Sequence, residues 1–152
     1  MSSFVSLYEY ILTNSKNLSE IKEQYLKLLS ELTKVTEISD KTFFENIVTI
    51  HQNGLIIVGL ENNVIVASGT IIIEPKIIRG GKSVGHIEDI VVTKSYRGKG
   101  YAQEVLQKLK EYGFSRHCYK IILDCHNDLE PFYEKVEFKQ VGIQMAMYNP
   151  DV

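Results

Sequence analysis

The chain has no tryptophan, three prolines and two cysteines in 152 residues. Cys118 and Cys125 are too few for a disulfide framework and lack the spacing of a four-ligand zinc site, so a reducing compartment is expected. No run of 18 apolar residues is present, and the first ten residues lack a basic segment followed by an apolar stretch and a cleavage site. The expectation is therefore a cytoplasmic protein that does not span a membrane. Positive charge is not in excess either. Seventeen Lys and Arg stand against 19 Asp and Glu, a formal charge of -2 that provides no global field for nucleic acid or an anionic membrane. Any anion site must be local. With 44% apolar and 24% charged residues the composition is globular, and the length suits a single domain over 1–152.

Hydrophobic periodicity predicts an α/β fold. Ile21, Tyr25, Leu28, Leu29 and Leu32 form a helical stripe after Leu18, with Asn17 and Glu20 spaced as a capping box. A second helix is expected after Ser39, burying Phe43, Phe44, Ile47, Val48 and Ile50. From Leu55 the signal changes to β-branched runs, 55–60 and 64–73, joined by an asparagine turn suited to a hairpin. A polar link over 79–83 leads to a third strand, 84–93. A helix over 99–112 ending at Gly113, a strand over 119–123, a short helix over 129–135 and a final strand over 138–147 complete the order. The result is a mixed sheet flanked by helices.

Arg97-Gly98-Lys99-Gly100-Tyr101-Ala102 falls between a strand and an amphipathic helix. There the first helical N–H groups lack intrahelical partners, and the dipole favours an anion. Gly98 and Gly100 remove side chains that would hold a ligand off the backbone, while Lys94, Arg97 and Lys99 add positive charge. On spacing alone, a glycine turn with an exposed basic rim is an equal reading. The lysine-bearing nucleotide loop would need Ser or Thr after Gly-Lys, and a dinucleotide fingerprint should follow the first strand of a βαβ unit.

The hexapeptide resembles the acyl-CoA pyrophosphate loop of the GNAT acetyltransferase superfamily, in which Gln or Arg precedes two small residues that correspond to Gly100 and Ala102. The stretches 85–92, 119–125 and 132–135 resemble the branch of that superfamily that acetylates glucosamine 6-phosphate, in order and separation. The resemblance implies the mostly antiparallel GNAT sheet, acetyl-CoA as cosubstrate, no metal, an amino-sugar phosphate as the other substrate, and a homodimer.

It also implies site residues. Ile90, Val91 and Val92 would contact the pantetheine arm through their main chain, one N–H steadying the oxyanion, and residues 97–102 would hold the diphosphate. Tyr133 would protonate the leaving thiolate. Glu88 would take the amine proton through water and Asp89 would orient the sugar. On a regular strand these two carboxylates face opposite ways; a bulge would let both approach the site. Lys76, Arg79, Lys120 and Asp124 would bind the phosphosugar, and His86 is read as structural. Two departures from the branch stand out: Tyr148 at the place of a phosphate-binding arginine, and Glu137 at the place of a glycine. Acetylation of another small amine, or acetyl-CoA binding without turnover, are the competing readings.

Overall fold

The structure, a computed structural model, describes residues 2–152. The chain divides into two units, one ending at Ile122 and the second spanning Leu123–Val152. In the first unit, β1 (Ser2–Ser6) and α1 (Leu7–Thr13) precede α2 (Leu18–Leu29) and α3 (Asp40–Gln52). Strands β2 (Gly54–Glu61) and β3 (Val64–Pro75) follow, then a single turn α4 (Ile78–Gly81), β4 (Ser83–Val92), α5 (Tyr101–Ser115) and β5 (Cys118–Ile122). The five strands lie in sequence order in one sheet, antiparallel except for the parallel β4–β5 pair.

The helix starts follow their caps. Asn17 accepts from the Glu20 N–H at 2.9 Å, and Ser39 accepts from the Thr42 N–H at 3.1 Å. The asparagine turn closes the β2–β3 hairpin with Asn62 and Asn63 at φ 50° and 62°, the left-handed pair that a two-residue hairpin turn requires. β2 and β3 read as continuous apolar runs because both of their faces are covered. Ile56, Val58 and Leu60 pack in one core with Leu7, Tyr10, Ile21, Tyr25, Leu28, Phe43 and Ile47 from α1, α2 and α3. α5 lies against β2, β3, β4 and β5, burying Val105, Leu106 and Leu109. Each fully buried aliphatic side chain contributes about 1.5–3 kcal/mol.

β1 and α1 were not expected from periodicity. Five residues carrying three serines, then a seven-residue helix, are too short to establish a period. α5 also runs past its expected end. Gly113 is buried inside the helix rather than terminating it, because a Cβ there would lie 2.9 Å from Ile121 Cδ1 and 3.0 Å from Ile71 Cδ1. This glycine permits close approach of helix and sheet.

The second unit contains α6 (Glu130–Lys135), entered through a 3₁₀ turn over Asn127–Leu129. Its end is a complete Schellman motif. The Phe138 N–H donates to the Tyr133 carbonyl at 3.0 Å, the Glu137 N–H donates to the Glu134 carbonyl at 3.0 Å, and the Phe138 and Tyr133 rings meet edge to face at 6.0 Å. Glu137 occupies the left-handed position at φ 77°, where glycine is favoured. The turn is therefore of the ordinary glycine type, built with a strained residue. Replacing Glu137 with Gly is expected to raise stability by about 1 kcal/mol, the left-handed penalty less the entropy cost of glycine. A rise in Tm of about 2–4 °C in calorimetry would register it, and a fall would show that the glutamate side chain stabilises more than the backbone strain costs.

The expected final strand over 138–147 is not formed. Val141, Ile143, Met145 and Met147 keep the alternation of a strand yet are exposed, from 84% to 99%, and no described strand pairs with this segment. A strand needs a neighbour for its main-chain N–H and C=O groups, which alternation does not supply.

Candidate active site

The site is organised by β4, which changes partners along its length. Its first residues pair with both β3 and β5, and the β5 register ends at His86 opposite Ile122. Toward Val92 the main chain on that side has no strand partner among the described residues, so its N–H and C=O groups form an edge able to take an extended ligand. Within this edge lies a bulge. Thr70 pairs with Glu88 and Ser68 with Val91, so Gly69 alone faces both Asp89 and Ile90.

The bulge sets the side chains. Asp89 adopts φ 55°, and both Glu88 and Asp89 are exposed instead of alternating between core and solvent. Ile90 turns inward against Gly69. A Cβ on that glycine would lie 2.4 Å from Ile90 Cδ1 and 2.7 Å from Val105 Cγ1, so the absent side chain makes room for Ile90. Val91 is buried and Val92 half-buried, so the side chains of 90–92 serve packing. Beneath the bulge, Tyr25 and Ser68 share a 3.0 Å hydrogen bond, and Ser68 also donates to the Ile57 carbonyl at 3.0 Å. Burial, with a smaller contribution from the Asp89 charge, pushes the Tyr25 hydroxyl up to about 12.

After β4 the chain turns through a 3₁₀ segment, Lys94–Tyr96, into the glycine loop. Gly98 and Gly100 have φ 75° and 88°, and a Cβ on either would meet nothing within 4 Å. The loop is open above its backbone. Helical hydrogen bonding in α5 begins with Glu104 N–H to Gly100 C=O, and among the described residues no side chain caps the helix. The N–H groups of Tyr101, Ala102 and Gln103 thus lie in the first turn, where an anion is the natural partner. These features fit a diphosphate.

The loop's cations are individually placed. Arg97 donates from Nε to the Val92 carbonyl at 2.9 Å, and Lys99 Nζ lies 5.0 Å from the Tyr96 ring centre. Tyr101 anchors the helix start: its hydroxyl donates to Glu61 at 2.5 Å, and its ring packs against Phe4 and Tyr96. The hydrogen bond to Glu61 pushes the Tyr101 hydroxyl up to about 12 and holds the Glu61 carboxyl below its usual range.

A cationic cluster gathers at the opposite end of β4. The Arg79 guanidinium and Lys120 Nζ lie 5.1 and 5.7 Å from the Tyr119 ring centre. Lys76 and His86 both contact Glu74, at 2.9 and 3.1 Å. Lys76 first, then His86, lowers the Glu74 carboxyl, and the same contact raises Lys76. Arg79 itself sits at φ 56° in the turn. Neither Glu74 nor Tyr119 carries a sequence signal for these roles, because His86 reaches Glu74 from the next strand and Arg79 reaches Tyr119 from the α4 turn, 40 residues earlier in the chain.

Asp124 and Tyr133 belong to the second unit. Asp124 is exposed, whereas Tyr133 is buried on α6 with its ring against Phe132 and Phe138. Burial, then the charges of Cys125 and Asp124, raises its hydroxyl above the ordinary tyrosine value, so the phenol is protonated at neutral pH.

This architecture has known relatives. The sequence model of the Acetyltransferase (GNAT) family matches residues 19–138. The chain belongs to the GNAT family. Among GNAT proteins it is 37% identical to glucosamine 6-phosphate N-acetyltransferase 1 of Dictyostelium discoideum over 129 residues, covering 85% of this chain and 74% of the relative. It is 35% identical to glucosamine 6-phosphate N-acetyltransferase of Arabidopsis thaliana over 136 residues, covering 86% and 91%. The crystal structure of glucosamine-6-phosphate N-acetyltransferase from Arabidopsis thaliana superposes with a TM-score of 0.85 at 31% identity, covering 97% of this chain and 98% of that one. The chain is thus a GNAT acetyltransferase, and the mixed sheet flanked by helices is the GNAT fold.

Proposed function

We propose that the chain transfers the acetyl group of acetyl-CoA to the 2-amino group of glucosamine 6-phosphate. The observation that carries this reading is the arrangement along β4. An open helix start suited to a diphosphate lies beyond one end, an acidic bulge sits on a stretch of β4 with no β5 partner among the described residues, and the Lys76, Arg79 and Lys120 cluster lies toward the other end. The names of the relatives supply the acceptor.

In this reading acetyl-CoA supplies the activated acetyl group as a thioester. Its diphosphate is held by the N–H groups around Gly98 to Ala102, with Arg97 and Lys99 adding charge, and its pantetheine arm runs along Ile90 to Val92 as an added strand would. A main-chain N–H of that stretch steadies the negative charge that develops on the carbonyl oxygen. Glu88 receives the proton shed by the attacking amine through water, and Asp89 orients the sugar. Tyr133 returns a proton to the departing thiolate, so proton count is conserved across the transfer. Lys76, Arg79 and Lys120 bind the sugar phosphate, with Asp124 assigned to the sugar by the same resemblance.

A thiol-release assay compares glucosamine 6-phosphate with glucosamine and a polyamine. A kcat/KM preference of at least about tenfold for the phosphorylated sugar is expected, since one charge-assisted hydrogen bond to the phosphate is sufficient to produce it. Equal rates on both sugars would remove the phosphosugar assignment while leaving acetyl transfer intact.

A further inference from the structure

We propose that Glu31 is a positioning residue for the acetyl-CoA diphosphate, acting through Arg97 and the turn that leads into the glycine loop. The inference rests on the acetyl-CoA reading above and adds a residue remote in sequence from the loop.

Glu31 stands just beyond α2, on a turn closed by its own N–H to the Leu28 carbonyl at 3.1 Å. α2 is anchored in the core by Ile21, Tyr25 and Leu28, so the carboxylate projects from the turn at the end of a core-packed helix. Every contact that the structure assigns to this carboxylate on the β4 side falls between residues 93 and 97. Oε2 accepts from the Thr93 hydroxyl, Oε1 accepts from the Lys94 N–H at 2.9 Å, and Oε1 lies 3.6 Å from the Arg97 guanidinium. Arg97 also donates from Nε to the Val92 carbonyl. One hydrogen bond and one ion pair bias the orientation of a guanidinium that carries five N–H donors, so the remaining donors favour one direction.

The contacts explain why a carboxylate is tolerated beside an anion site. Were its role only electrostatic, it would oppose a diphosphate by weakening the field of Lys94, Arg97 and Lys99. Its hydrogen bonds do something different: they hold the entry to the loop in one conformation, which lowers the ordering cost when a ligand binds. The Thr93 hydroxyl and the Lys94 N–H keep the carboxyl below its usual range, so it is ionised at neutral pH. Glutamine can preserve this geometry, because its carbonyl oxygen can accept from Lys94 and its amide can donate to the Thr93 oxygen. Alanine cannot.

The test uses two donors, acetyl-CoA and S-acetyl-pantetheine, which carries the thioester without the diphosphate. For Glu31→Ala, KM for acetyl-CoA is expected to rise about tenfold with kcat within about twofold, the size of one lost charge-assisted hydrogen bond. Glu31→Gln is expected to stay within about threefold of wild type for acetyl-CoA. With S-acetyl-pantetheine, both variants should match wild type. An unchanged acetyl-CoA KM in Glu31→Ala would overturn the proposal, as would an equal loss with both donors, which marks a general structural role. If Glu31→Ala fails to fold, a tenfold rise in acetyl-CoA KM for Glu31→Gln would likewise overturn it. A wild-type chain that uses neither donor is a different failure, since it removes the acetyl-CoA reading on which the proposal stands.

Discussion

Replacing Tyr133 with Phe is expected to lower kcat about 100-fold while KM for acetyl-CoA stays within about threefold, because general acid catalysis contributes about 10²–10⁴ in rate. The substitution is unusually selective for the hydroxyl. The Tyr133 carbonyl that receives the Val136 and Phe138 N–H groups is main chain, and the ring contacts to Phe132 and Phe138 are ones phenylalanine also makes. The Schellman end of α6 and the packing around it therefore persist. The raised hydroxyl also gives the sign of the pH effect. An acid must be protonated to act, so the contribution of Tyr133 is complete at neutral pH and is lost only as pH rises through a value above the ordinary tyrosine one. Steady-state kinetics and a CoA titration on the same preparation would check the prediction. An unchanged kcat would remove Tyr133 from proton transfer, and a parallel loss of CoA binding would make it a shaping residue.

How far the sequence determined the site can be judged from particular residues. The caps Asn17 and Ser39, the Asn62-Asn63 turn and the glycine loop are local devices, and local chemistry is what a linear reading detects. Regular alternation would have separated Glu88 from Asp89, and the bulge that exposes both depends on Gly69 in the neighbouring strand. Gly113 reads as a helix stop because its close neighbours, Ile71 and Ile121, lie on strands. Arg79 and Lys120 were available as cations, yet the ring that gathers them, Tyr119, becomes evident only when β5 is laid beside β4. Glu31 gives no sequence signal. Its partners begin 62 residues away, and a carboxylate near a phosphate loop contradicts a reading based on charge alone. The exposed alternation from Val141 to Met147 shows the reverse limit, a strand pattern without a strand neighbour among the described residues.

The helix-start model makes its sharpest prediction at Gly100, where two effects of substitution can be separated. Any residue there must adopt φ 88°, and a leucine would pay about 1–2 kcal/mol of left-handed strain, whereas asparagine enters that region with little penalty. The space above the backbone is open, and a Cβ there meets no protein atom within 4 Å. What both obstruct is an anion approaching the first N–H groups of α5. Gly100→Leu and Gly100→Asn are each expected to weaken CoA by about two orders of magnitude, the loss of one or two charge-assisted hydrogen bonds, although only the leucine variant should lose measurable thermal stability. Calorimetric titration with CoA and a melting curve for each variant would decide the matter. If Gly100→Asn bound CoA as wild type does, the diphosphate would not lie on this backbone, and positive φ alone would account for the glycine.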